Sequence, residues 1–189
     1  MQTQTRLMKA EEFYKWANQP ENRGRICELE KGVIVEMSRP GKRHGMVCGN
    51  IAGILRNYSV ARKWGYVCTN DTGVVLTRNP DTVRGPDILV FNDASSALDV
   101  EEKYGETPPI LAVEVLSPND TYNRVRRRVR ELFRLGTQLI WIVDPDSNNV
   151  MVHHPGDDLS LEGDEELTGN GILEGFSCRV SEFFNLPGR

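Results

Sequence analysis

The strongest constraint on this fold is a pair of apolar runs separated by one helix-length segment. PILAVEVLS (109–117) and QLIWIVD (138–144) are too continuously apolar to alternate between core and solvent. Each therefore reads as a central strand buried on both faces. Between them, residues 120–135 form an arginine-rich helix that closes at Gly136, a residue suited to the left-handed position past a helix end. Strand, helix and strand without a break make a βαβ unit, expected to cross over right-handed. The chain is therefore placed in the α/β class, with one mixed central sheet flanked by helices on both faces.

The rest of the chain fills in around that unit. Residues 6–17 read as a short amphipathic helix with Leu7, Ala10, Tyr14 and Ala17 on one face. RICELEKGVIVEM (25–37) reads as two strands folded about Lys31-Gly32. After the loop SRPGKR, the span from His44 to about Lys63 turns helical, with a stripe of Val47, Ile51, Ile54, Leu55 and Tyr58. GYVCT (65–69), GVVLT (73–77) and PDILVF (86–91) are strand-like, and 92–108 is a polar, proline-bounded loop. NVMVHH and GILEGF suggest short edge strands, GDDLSLEGDEEL (156–167) a solvated acidic loop, and Val180–Phe184 a final turn. Trp141 belongs to the core, and Trp16 and Trp64 to packing at helix ends.

With 189 residues the chain is long enough for one domain, 1–189, with a real core, and short for two. A net charge of −4 excludes a generally basic nucleic-acid coat, so local charge has to carry any such binding. No apolar run reaches membrane-spanning length, and the N-terminus has no apolar secretory core. Cys27, Cys48, Cys68 and Cys178 are widely spaced and read as reduced, mostly buried thiols of a cytoplasmic protein.

The chemistry lies in two of the strands. Glu114 sits inside the buried run, where an unpaired charge costs on the order of several kcal/mol. Asp87 follows Pro86 at the head of PDILVF. If the two strands are neighbours, the carboxylates can share a divalent cation, Mg²⁺ or Mn²⁺, suited to activating water for phosphodiester cleavage. Alternatively, Asp87 is a strand-start surface residue and Glu114 pairs with an arginine. His153 and His154 are adjacent on a strand and face opposite ways, so they cannot serve one metal.

The helix Arg124–Arg134 holds six arginines and one glutamate. At 100° per residue its apolar arc contains Val125, Val129, Leu132, Phe133 and Leu135. Arg127, Arg130 and Arg134 fall opposite, in solvent. Arg128 falls inside the arc and should lean toward the strand carrying Glu114, where its fork matches a carboxylate or a phosphate. The outer row, with Arg126, is either a track for a nucleic-acid backbone or an ordinary solvated face.

PDILVF, AVEVLSP, the Thr/Asn/Asp-rich helix start and GTQLIWIVDP, in that order, resemble the Uma-type restriction endonuclease family of the PD-(D/E)XK nuclease superfamily. ELEKGVIVEMS, a loop and His44 opening a helix fit the same pattern. The resemblance runs from about Glu12 to Phe184. It implies a restriction-endonuclease-like fold and metal-dependent hydrolysis of DNA, with a homodimer as the common form. It puts Asp87 on the motif's aspartate, Glu114 on its acidic position and Glu28 on an upstream glutamate, so these three would hold Mg²⁺ or Mn²⁺. It sets His44, Arg124, Arg127 and Arg130 toward the nucleic acid, and Arg128 toward the scissile phosphate.

Three positions of the helix depart from the family. Its lysine, supplied from the helix after the acidic strand, falls at Arg128, an aspartate one turn earlier falls at Arg124, and a usual tyrosine falls at Leu132. Arginine stays protonated, so a general-base route through residue 128 is closed. Taken without the resemblance, Glu28 could equally be an exposed hairpin residue and His44 a helix cap. The alternative to an endonuclease is a degenerate member that binds nucleic acid or a protein partner without cleavage. A domain that only dimerises through exposed strands is a further possibility.

Overall fold

The computed structural model describes residues 6–186. Helix α1 (Ala10–Ala17) leads into the hairpin β1 (Cys27–Glu30) and β2 (Val33–Glu36), then the long helix α2 (Lys42–Arg62). Strands β3 (Tyr66–Cys68), β4 (Val74–Thr77), β5 (Thr82–Arg84) and β6 (Ile88–Phe91) follow. The βαβ unit is β7 (Leu111–Val115), α3 (Tyr122–Leu135) and β8 (Leu139–Asp144). The chain then forms the hairpin β9 (Asn149–His154) and β10 (Asp157–Glu162), the short pair β11 (Glu166–Thr168) and β12 (Ser177–Arg179), and helix α4 (Ser181–Phe184).

The main sheet has six strands in the order β10-β9-β8-β7-β6-β3. β7 and β8 run parallel, from Leu111 opposite Leu139 to Val115 opposite Val143, as the two apolar runs require. The other neighbours in that sheet are antiparallel, so it is mixed. Both faces are covered. Val47, Ile51 and Leu55 of α2 pack on Ile88, Val90, Val113 and the fully buried Trp141. On the opposite face Leu132, Val125 and Val129 of α3 cover Leu89, Ala112, Ile140 and Ile142.

A second, four-stranded antiparallel sheet, β2-β1-β5-β4, corrects the expectation of a single sheet. Helix α3 lies between the two sheets, because Val74 and Leu76 of β4 join the same apolar cluster. β5 is among the strands that sequence reading omits. It has three residues, and its strand character comes from flanking β1 and β4 rather than from its own pattern.

Smaller differences have local causes. In α1 the buried residues are Ala10 and Phe13, while Leu7 lies before the helix and is exposed. The acidic stretch 157–162 is a strand, not a loop. It lies at the sheet edge and buries only Leu161, so its carboxylates stay in water. GILEGF is a turn between β11 and β12. All four cysteines are free thiols, but only Cys178 is buried. No helix among the described residues is long and apolar enough to cross a membrane.

Candidate active site

The antiparallel register of β6 and β7 sets Ile88 opposite Val113. One step further along the same register, Asp87 stands opposite Glu114. Glu114 faces α3, where Arg128 meets it, while the Asp87 carboxylate, just before the strand, turns to α2 and the β7 backbone. Asp87 is held from two sides. Its Oδ2 accepts the Val115 backbone N–H at 2.8 Å, and its Oδ1 lies 3.4 Å from His44 Nε2. That same His44 nitrogen donates to the Val115 carbonyl at 3.0 Å. The Asp87 contact and the nearby Cys48 thiol push the His44 pKa up to about 10.

Glu114 is in a different state. Its residue is 8% exposed, and among the described residues no donor hydrogen-bonds its carboxylate. The nearest cation is Arg128 Nη1, at 3.6 Å from Oε2. Burial pushes its pKa up to about 8. Arg128 opposes that rise, and the negative charges of Asp87, Glu28 and Asp120 add to it. Arg128 does lean into the sheet, as its place in the apolar arc requires, and it bonds Asp120 Oδ1 at 3.1 Å. Asp120 is fixed in turn by the Ser117 N–H, donated to its Oδ2 at 3.0 Å.

Glu28 enters from the second sheet. Its Oε2 accepts from Arg84 Nη1 at 2.6 Å and its Oε1 from the Gly85 N–H at 3.3 Å. Arg84 is only 4% exposed and also bonds Glu131 at 3.0 Å, tying the second sheet to α3. Arg127 does not point to solvent. Its long side chain turns under the helix, reaching Glu30 at 2.6 Å through Nη1 and 3.1 Å through Nη2. His44 is likewise turned inward onto Asp87. Arg124 is exposed at the mouth of the cavity, and Arg130 is exposed outside its lining. Arg126 lies over the Tyr122 ring, 5.4 Å from its centroid.

Glu28, His44, Asp87, Glu114, Arg127 and Arg128 thus line one cavity of about 420 Å³ between the two sheets and the starts of α2 and α3. The family profile Uma2, putative restriction endonuclease, matches residues 10–181. The chain belongs to the Uma2 family.

A solved structure from Anabaena variabilis ATCC 29413, described as a putative nuclease belonging to DUF820, has the same fold. Its TM-score is 0.77 at 19% identity, over 94% of this chain and 97% of that one. No curated protein matches the chain.

Three residues of this Uma2 cavity escape sequence reading. Arg84 is a lone arginine in a three-residue strand, and nothing local marks it as buried. Asp120 had a readable signal, since an aspartate three residues beyond Ser117 forms a side-chain turn before the helix. Asp71 lies on a loop in which Asn70 and Asp71 are both left-handed. Its carboxyl pKa is raised by burial and by the negative charge of Asp87 and Glu28.

Glu114, without a hydrogen-bond donor, and Asp87, opposite it in the strand register, offer the carboxylate oxygens that a hard divalent cation would take, with Glu114 then shared with Arg128. The one group of three potential ligands that converges among the described residues is His44, Cys48 and Asp87, each bringing one ligand atom within 4.8 Å of the others; Glu28, Asp87 and Glu114 do not form such a group.

Proposed function

We propose that this Uma2-family protein is a metal-dependent endonuclease that hydrolyses DNA phosphodiester bonds with Mg²⁺ or Mn²⁺. The observation that carries the reading is the pairing of Asp87 with a buried Glu114 that has no hydrogen-bond donor, inside one cavity. A dication held there supplies a water of lowered pKa and offsets charge developing on phosphate. Asp87 and Glu114 are its ligands, with Glu28 as the third, braced by Arg84.

The chain's own groups do the positioning. The Val115 N–H and His44 fix the Asp87 carboxylate. Arg128 carries a permanent charge, so it orients a phosphate oxygen and cannot take the proton of the attacking water. Arg124 at the mouth and Arg130 beyond it meet the DNA backbone. Arg127 shapes the cavity through Glu30 instead. Cutting both strands of a duplex calls for two such centres, hence a homodimer. Free thiols suit the reducing cytoplasm.

A second reading rests on Arg128 itself. Its guanidinium already stands 3.6 Å from Glu114 and 3.1 Å from Asp120. A fixed cation so placed can stand in for the metal, leaving a protein that binds nucleic acid or a partner without cutting. The two readings separate on plasmid and short linear DNA with Mg²⁺ or Mn²⁺, alongside calorimetric metal titration. Cleavage lost in Asp87→Ala and Glu114→Gln supports the endonuclease. Absence of both cleavage and metal binding in the wild type supports the non-cleaving reading.

A further inference from the structure

His44 and Cys48 stand one helical turn apart near the start of α2, on the same face of the helix. Cys48 Sγ lies 3.5 Å from His44 Nδ1. The other ring nitrogen, Nε2, is 3.0 Å from the Val115 carbonyl, which can only accept, so Nε2 carries a proton. In the neutral ring the lone pair therefore sits on Nδ1, the nitrogen on the Cys48 side. Behind Nε2 stands Asp87 Oδ1, at 3.4 Å.

We propose that Cys48 Sγ and His44 Nδ1 form a site for a zinc-like, borderline-soft dication, whose ligand atoms are separate from those of the Asp87–Glu114 carboxylate pair although Asp87 supports both. Asp87 and the Val115 carbonyl hold the imidazole from behind. The spacing matches the ion's bite: metal–sulfur and metal–nitrogen bonds of about 2.3 and 2.0–2.1 Å at a tetrahedral angle set the two ligands roughly 3.5 Å apart. The surroundings match as well. A metal-bound histidine ordinarily donates its other N–H to a carboxylate or a backbone carbonyl, and His44 has both.

Sulfur then decides which ion enters. Thiolate and imidazole favour zinc-like ions, whereas the carboxylate pair favours Mg²⁺ or Mn²⁺. Among the described residues, His44, Cys48 and Asp87 are the one group of three potential ligands whose ligand atoms all lie within 4.8 Å of one another, and it contains the sulfur. Cys48 is half-buried and so within reach of solvent, and both ligands sit on one regular helix, so no backbone movement is needed. As the metal–sulfur bond forms, the thiol proton passes to solvent, as does the Nδ1 proton of a charged ring. No oxidation state changes. Water completes the coordination. The site shares His44 and Asp87 with the endonuclease reading but uses neither Glu114 nor Arg128, so it stands whether or not DNA is cut.

The test is a Co²⁺ titration of the full chain, followed by absorption. A saturable thiolate-to-cobalt charge-transfer band in the near ultraviolet is expected, at one ion per chain and displaced by Zn²⁺. It should persist in excess Mg²⁺ and in Cys68→Ser and Cys178→Ser. Cys48→Ser, with its fold checked by circular dichroism, should abolish it. Asp87→Asn should weaken cobalt affinity by about 10- to 100-fold, the usual effect of losing such a supporting carboxylate. No band in the wild type, or a band that survives Cys48→Ser, overturns the site. A band eliminated by Mg²⁺ overturns its separateness from the carboxylate pair. None of these readouts requires DNA cleavage.

Discussion

Glu114→Gln should make the metal-free protein more stable. The substitution keeps the shape of the side chain and removes a charge that the fold accommodates badly. Glu114 is 8% exposed, accepts no hydrogen bond from the described residues and has its nearest cation at 3.6 Å. Burial lifts its pKa to about 8, against about 4.3 for an ordinary glutamate. A carboxyl raised in the folded state destabilises above the unfolded value. The penalty is absent below about pH 4, grows as pH rises and is complete above about pH 8. By linkage this amounts to roughly 3 kcal/mol at neutral pH. Arg128 is not stranded by the change, since Asp120 holds it at 3.1 Å. The variant should therefore melt about 5–10 °C above wild type at neutral pH in a chelator, for a chain of this size. Mn²⁺ should close the gap, because ligand at a hundred times its dissociation constant adds about 2.7 kcal/mol to the wild type alone. Urea denaturation at several pH values, with and without Mn²⁺, measures both effects. A variant no more stable than wild type at alkaline pH, or a difference that ignores pH, refutes the account of Glu114 as an uncompensated buried carboxylate.

Arg84→Met should destabilise by about 3–5 kcal/mol in urea, because it leaves Glu28, Glu131 and Glu30 without their shared buried cation. Asp81→Ala should cost roughly 1–3 kcal/mol, since its buried Oδ2 accepts the Ala10 N–H at 2.9 Å at the start of α1. Burial raises the Asp81 pKa, but the Ala10 amide, Arg78 and the Asn79 amide outweigh it, so the net shift is downward. That stabilisation is present above the unfolded value near 3.9 and is lost as pH falls through the folded one. The gap between Asp81→Ala and wild type, followed by chemical denaturation, should shrink in acid. Arg128→Lys should raise Mn²⁺-dependent plasmid nicking by about tenfold or more, because a lysine can shed its proton where arginine cannot.

How much of this was legible in the sequence depends on how local the cause was. The β7–α3–β8 unit was readable because two continuous apolar runs admit few other placements. The inward lean of Arg128 followed from the helical period alone. The meeting of Asp87 with Glu114 was readable only conditionally, since it needs β6 beside β7, a non-local pairing. Arg127 lies on the polar side of the helical wheel, yet Glu30 on another sheet draws its flexible side chain inward. β5 and Arg84 owe their burial to strands distant in sequence, and three residues carry no period. The strand at 157–162 was hidden because an edge strand can expose most of its side chains, so acidic composition mimicked a loop.

The charge balance of the cavity constrains both readings of function. Seven carboxylates and four arginines line it. Three of the arginines are already engaged: Arg84 by Glu28 and Glu131, Arg127 by Glu30, and Arg128 by Asp120. His44, held charged by its Asp87 contact, adds a fifth cation, and burial keeps Glu114 largely protonated at neutral pH, so carboxylates exceed cations in the cavity only slightly. Arg124 at the mouth and Arg126 and Arg130 outside the lining are exposed. In either reading a phosphate meets these exposed arginines before the mixed charges of the floor. In the endonuclease reading Asp87 and Glu114 would hold a dication that supplies the positive charge a phosphate needs there, and Arg128 would add a fixed charge beside it. In the non-cleaving reading the same arginine stays on Glu114 and Asp120, and nucleic acid remains at the rim. The position of one guanidinium relative to Glu114, with and without divalent ion, distinguishes the two.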